Sequence, residues 1–410
     1  MKSRGLNPRL LACLAAWLAL LALMIGLLAI SDPATAQQYI HVGGSIIHDT
    51  TWPAGIYIVD DDLSIDGGSL TIDPGAEVRF RPGTELRVVG GPLLALGEPG
   101  NPITFTADSP EPVRDFWEGL VYEGTAPPSE LRHCIIEYAA TGLATDVTQS
   151  HLVDGCTLRH NGDGGDWETG GAIDAAGDAL SLTNNLIYDN EVGLHLRKSF
   201  NNVITGNQIS GNDGYGIAFV ADDAPAGGGN LIANNEIHHN GGFGLGILGA
   251  PPSNDGSNNV IRDNLVYEHT AAQGYPGHGI YLRLGSNNSV RGNRIWGNAG
   301  HGLRFDEQTA LDVVHNTVRD NELDGLAYGA TNATPAALHG NVLCRNARYQ
   351  LVSAWPSLLP AEGNWFGTNA PTSGSEIVGN VHFTPWISLA VAIEPPVLPA
   401  TPCPMVIPSP

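Results

Sequence analysis

The sequence predicts an all-β fold, a single-stranded right-handed parallel β-helix (a solenoid), and three observations predict it. A short motif that opens and closes on asparagine recurs at near-constant spacing. Around it lie runs of alternating apolar and polar residues only a few positions long, broken by Gly, Asn and Asp. Each repeat holds three such runs in about two dozen residues, which is the arithmetic of three short strands per coil.

Residues 1–36 read as an export signal. Lys2, Arg4 and Arg9 precede an unbroken apolar run from Leu10 to Ile30, and Ala34-Thr35-Ala36 supplies a small-x-small cleavage site. The run is long enough to span a bilayer, so an uncleaved N-terminal anchor is the alternative and the one expected membrane contact. Removing this segment takes away three basic residues and only one acid, Asp32, and leaves a chain more acidic than the full-length net charge of −23. Lys198 is then the only lysine. Such a surface repels phosphate backbones and excludes a nucleic-acid partner. It suits neutral sugars or cations such as Ca²⁺.

The β-helix is expected over residues 37–387, as a monomer. Its first third alternates without the asparagines: Leu70 to Phe80 runs into Leu86 to Val89, and Leu93 to Gly97 leads to Ile103 to Ala107 and Trp117 to Leu120. Here the chain resembles bacterial surface proteins of the pectate-lyase-like β-helix superfamily, which open with similar runs. Asn364 to Pro371 and Val381 to Ile387 are similar to the closing segments of such β-helices. The resemblance extends from about Thr51 to Ile387 and implies the fold far more than an activity.

The repeat itself is plainest from Asn185 onward. Asn185–Asn190, Asn207–Asn212, Asn235–Asn240, Asn264–His269, Asn293–Asn298, Asn316–Asn321 and Asn341–Asn346 are seven copies. Six of them lead into a glycine and a second apolar run, as in Gly193-Leu194-His195-Leu196 and Gly302-Leu303-Arg304-Phe305. Parallel strands stack about 4.8 Å apart, so an asparagine recurring once per coil stands in a column and can bond to its neighbours above and below. Asparagine also tolerates a left-handed turn. The leucine framework of a leucine-rich repeat is missing.

Cys134 and Cys156 fall one coil apart where later copies carry the leading asparagine, so they are expected to stack inward, either free or bonded. With Cys344 and Cys403 they allow three disulfide connectivities, which spacing does not resolve. Residues 388–410 are Pro-rich and read as an extended tail.

Chemistry is expected on the outward side of the run after each glycine. Alternation there sends Leu303 and Phe305 inward and Arg304 and Asp306 outward, with Tyr281 and Arg283 outward on the coil before. In register, Tyr281 lies over Arg304 and Arg283 over Asp306, with Glu307 alongside. His278 and His301 share the position before the glycine and should stack. His195, Arg197 and Lys198 belong to the same row farther along, and Ala218 and Gly246 leave a smooth stretch between.

Two readings follow. The first is an exported, non-catalytic scaffold whose ridge binds a polysaccharide or another cell-surface partner through Tyr281, His278, His195, Arg197 and Lys198. The second is a lyase or epimerase of acidic polysaccharide, as the superfamily resemblance allows. Arg304 or His301 would then be the base, Arg283 would neutralise a uronate, and Asp306 and Glu307 would hold Ca²⁺. An exposed Arg283–Asp306 ion pair is the plain structural alternative.

Gly277-His278-Gly279-Ile280 resembles a polygalacturonase segment. The partner motifs are missing, and the nearest Asp pair, Asp222-Asp223, is far upstream. Asp60-Asp61-Asp62 and Asp163-Gly164-Gly165-Asp166 are acidic turns that could take Ca²⁺, although solvated turns explain them as well. Three methionines and no Met/His cluster argue against a copper-handling role.

Overall fold

Runs of three or four residues such as Ser181–Thr183, Leu186–Tyr188 and Leu194–Arg197 are too short to stand alone, so each must pair with its counterpart on the next coil. They do so in parallel and in register, with Leu182 beside Ile204, Ile187 beside Ile209 and Leu194 beside Ile217. Repetition of this pairing builds three strand columns. The first is a 12-stranded sheet from Thr50–Trp52 to Ala337–His339. The second and third are joined into one 25-stranded sheet, because the long strand Ile56–Ile65 pairs with both Glu77–Phe80 and Glu85–Val88.

The computed structural model describes residues 38–124, 126–146, 151–165, 170–177, 179–220, 227–249, 256–333 and 335–388. The expected export signal, Asp166, Asp222-Asp223, Cys403 and all of the expected tail except Ser388 lie outside the described residues. The chain divides into residues 1–40, of which only 38–40 are described, and a unit from His41 onward that carries the coils. Among the described residues every regular element is a strand, and no helix is long and apolar enough to cross a membrane.

Inward positions form columns of Ile, Val, Leu and Phe with almost no solvent contact, such as Ile187, Ile209, Ile237, Val266, Ile295, Val318 and Leu343. Full burial of each such side chain is worth about 1.5–3 kcal/mol. The corners carry the polar half of the argument. Asn185, Asn207, Asn235, Asn264, Asn293, Asn316, Asn341 and Asn364 form one ladder, each Oδ1 accepting the backbone N–H and, except at Asn185, the side-chain amide of the rung before. A second ladder runs Asn161, Asn190, Asn212, Asn240, His269, Asn298, Asn321, Asn346. A third, at the remaining corner, runs Asn202, Asn230, Asn259, Asn288.

The left-handed turn expected of these asparagines belongs to the residue before each one. Asn184, Asn234, Asp189, His239, Asn201 and Asn258 take φ between 54° and 59°, and the ladder asparagine that follows points inward. A left-handed residue swings the chain by a corner, and the next side chain then faces the backbone groups that the corner unpairs.

Cys134 and Cys156 stand at the head of the first ladder, with the Cys156 sulfur accepting the Cys134 N–H at 3.3 Å. They stack inward as expected. Both are free thiols, so the bonded option is corrected. Burial, reinforced by its neighbour, pushes the Cys134 thiol well up and leaves it protonated. Cys344 is disulfide-bonded.

The glycine of each repeat has a packing reason. A Cβ on Gly302 would lie 2.2 Å from Val318 Cγ1 and 2.9 Å from the Gly325 carbonyl oxygen. Gly302→Ala should therefore cost about 1–3 kcal/mol by overpacking, read as a drop in the urea midpoint at unchanged slope.

Candidate functional site

The third column after each glycine is where the sequence reading put its ridge, and the register agrees. Gly246, Tyr281, Arg304 and Ala327 are neighbours along one outward row, and Leu248, Arg283 and Asp306 along the next. The Arg304 guanidinium lies 5.6 Å from the Tyr281 ring centre, a cation–π contact. Its Nε also donates to Asp306 at 2.8 Å. Burial works to lower the Arg304 pKa, but the Asp306 contact outweighs it and holds the group above its usual value. Burial, with Asp306 nearby, raises the Tyr281 hydroxyl.

The expected Arg283–Asp306 pair is corrected: Asp306 is taken by Arg304, and Arg283 turns to Glu307 at 3.7 Å. Glu307 sits at φ 55°, which bends the strand. Asp306 and Glu307 thus each face an arginine. Among the described residues no group of three or more His, Cys, Asp or Glu side chains is arranged to hold a metal ion.

His278 and His301 stack as expected, with ring centres 5.0 Å apart and planes at 24°. Their Nδ1 atoms differ in company: His278 accepts the His301 N–H at 2.9 Å, whereas His301 Nδ1 lies 3.2 Å from both the Asp324 N–H and the Asp324 carboxylate. At His278 an accepting Nδ1 leaves the proton on Nε2. Burial, then the nearby His301 and Arg304, lowers the His278 pKa to about 3.

Two expectations upstream are corrected. The stretch at Ala218 and Gly246 is covered rather than open: Val192, Tyr215 and Phe243 fold over Ala218, Tyr215 stacks on Phe243 at 5.2 Å, and Tyr275 meets both edge-on. His195 is only 2% exposed, beneath this cover, with Nδ1 lacking a hydrogen bond and 3.5 Å from Asp174. It is closed to an external ligand. Arg197 pairs with Asp174 at 2.9 Å, while Lys198 is exposed at a left-handed corner.

The sequence reading missed two features. Arg114 reaches across many coils to Asp213 at 2.5 Å and to the Asp189 carbonyl at 2.6 Å. With Asp163, Glu191 and Gln273 it lines a cleft of about 450 Å³. Burial raises the Glu191 carboxyl, partly offset by the Gly164 N–H that it accepts. The other feature is an aromatic row in the second column. Tyr188, His238, Tyr267 and Trp296 all stand three residues past the leading asparagine of their copies, a recurrence that was visible in the sequence.

No curated protein matches this sequence. Among solved structures the chain is similar to the Dettilon tailspike protein gp208, at 15% identity and a TM-score of 0.51 over 75% of this chain. It spans 62% of that tailspike chain. It is also similar to the Azotobacter vinelandii mannuronan C-5 epimerase AlgE4 A-module, at 14% identity and a TM-score of 0.50, covering 85% of this chain and 91% of that one. At such identities the likeness is one of fold. The family described as a right handed beta helix region matches residues 119–247 and 224–366. With that match over more than half its length and with its three parallel columns, the chain belongs to the right-handed β-helix family and has the pectate-lyase-like fold.

Proposed function

We propose that this protein is an exported β-helix scaffold that binds carbohydrate on the ridge of Tyr281 and Arg304, without transforming it. The observation that carries this reading is the way the reactive groups are already engaged. His301 Nδ1 lies 3.2 Å from both the N–H and the carboxylate of Asp324, and Arg304 is held charged by Asp306, so both side chains are already committed to groups of the protein. What remains outward is an aromatic ring edged by two arginines and two acids, a near-neutral surface suited to hydroxyl-rich ligands.

Retention on an array of neutral and uronate polysaccharides is the test. The wild-type protein should be retained, and Tyr281→Ala should weaken binding by about tenfold, the loss of roughly 1.4 kcal/mol. Absence of any retention would retire the binding reading. Unsaturated-uronide absorbance, or altered uronate composition, after incubation with alginate or polygalacturonate and Ca²⁺ would instead favour the lyase or epimerase, provided Arg304→Ala abolished it.

A further inference from the structure

The aromatic row of the second column has a break in it. Register places Arg159, Tyr188, Ser210, His238, Tyr267, Trp296 and Arg319 one above another. On the C-terminal side the rings stack without a gap: His238 on Tyr267 at 4.8 Å, Tyr267 on Trp296 at 4.2 Å, and the Arg319 guanidinium 5.4 Å from the Trp296 ring centre. On the N-terminal side Tyr188 leans the other way, its hydroxyl accepting from Arg159 at 3.0 Å and its ring meeting His160 edge-on. Among the described residues no ring stacks on the faces of Tyr188 and His238 that look across Ser210. The adjoining corner is cut back too, because Gly211 (φ 63°) stands where neighbouring coils carry Asp189 and His239.

We propose that this notch is a binding site for a single neutral pyranose ring, inserted edge-first between Tyr188 and His238. Width decides the class of ligand. The two walls rise from backbones two rungs apart, about 9.6 Å at the usual strand spacing, and the lean of Tyr188 toward Arg159 widens the mouth further. Van der Waals contact of about 3.5–4.0 Å on each face accounts for roughly 7–8 Å of that, so a flat aromatic group would rattle while a puckered chair fills the space. The rim is polar. The Gln208 amide nitrogen lies 3.4 Å from His238 Nε2, and Ser210 contributes a hydroxyl at the floor. An Asp189 carboxylate oxygen lies 3.2 Å from where a Cβ on Gly211 would sit. Equatorial hydroxyls find donors and acceptors there, while the ring C–H faces meet the two side chains. Asp189 and the Glu236 carboxylate, which takes the Tyr267 hydroxyl, disfavour a uronate.

This site lies on a different column from Tyr281 and stands or falls independently of it. Saturation-transfer NMR on the whole protein, with methyl glucopyranoside, methyl galactopyranoside and methyl mannopyranoside as probes and sodium glucuronate as the charged control, tests it. At least one neutral glycoside should receive saturation more strongly than glucuronate. Ser210→Trp fills the break with a ring at the spacing its neighbours already keep, and should cut the signal about tenfold. The series is read in the Tyr281→Ala background, where the ridge no longer contributes and the dependence on Ser210 and His238 should persist. His238→Ala removes one wall and should cut it about fivefold, which keeps the test alive if the tryptophan variant misfolds. No transfer to any neutral glycoside, or undiminished transfer in both Ser210→Trp and His238→Ala, overturns the proposal.

Discussion

Asn264→Leu should lower the unfolding free energy by about 4 kcal/mol, among the largest losses from any single substitution outside the apolar core. Its Oδ1 accepts both the backbone N–H and the side-chain amide of Asn235, at 2.9 and 3.0 Å. Its amide donates to the Ile232 carbonyl and to Asn293 Oδ1, both at 2.9 Å. Leucine matches the volume and removes all four bonds. The Asn235 N–H, buried at a corner where no strand neighbour can reach it, then loses its acceptor altogether. Because coils interact with nearest neighbours, the damage should be greatest in the two adjoining rungs. Urea unfolding gives the total, and amide exchange should show the Asn235 and Asn264 amides opening first. A loss below about 1 kcal/mol would mean that water or a backbone shift satisfies the corner, and that the ladder matters less than its geometry suggests.

Acid should weaken the protein through one rung of the second ladder. His269 stands where the other coils carry asparagine, with Nδ1 accepting the Asn240 N–H and the opposite ring nitrogen facing the Ile237 carbonyl, each at 3.2 Å. Only the neutral ring can do both. Burial first, with the nearby His238 and His239 acting the same way, lowers its pKa from 6.5 to about 3. The unfolded chain therefore takes up a proton near pH 6.5 that the folded chain refuses until about pH 3. The stabilising contribution is complete above pH 6.5, declines as pH falls through the interval, and is gone below the folded-state value. Over the whole interval the loss is about 5 kcal/mol, at roughly 1.4 kcal/mol per pH unit. His269→Asn restores the bonding of the neighbouring rungs and should flatten stability against pH in this window. His278, at about 3, and His151, at about 4, leave a residual slope. Equal slopes for wild type and His269→Asn would show that His269 is not the acid-sensitive rung.

The coils were legible because stacking forces recurrence. A side chain that bonds to its own copy must reappear once per turn, and Asn185 through Asn341 do. The same logic placed Tyr281 beside Arg304 and His278 on His301. What stayed hidden depended on side chains leaving the column they start in. Tyr215 and Phe243 bend over Ala218, and Tyr275 arrives from the loop before His278, so an apparently smooth stretch is covered and His195 is sealed beneath it. The choice of Glu307 over Asp306 by Arg283 follows a left-handed residue inside a strand, which alternation does not foresee. The Arg114–Asp213 bridge joins residues that no repeat relates. The third ladder was half visible: Asn202 and Asn259 were noticeable at strand starts, but the longer and more variable loops before them blur their spacing.

The ladders also have a direction. In all three, the amide oxygen looks toward the preceding coil and the amide nitrogen toward the following one. Their dipoles therefore add head to tail, and each bond polarises the next, with one interruption in the second ladder at His269. The partial negative end lies at the N-terminal rungs and the partial positive end at the C-terminal ones, the reverse of an α-helix. The first rungs quench their end with backbone donors from Cys156, Ala139 and Leu180. At the far end Asn346 donates to Gln350 Oε1 and Asn364 to the Ala361 carbonyl. The three ladders thus run as parallel stacks of aligned dipoles among the apolar side chains, each with its positive end toward the later coils.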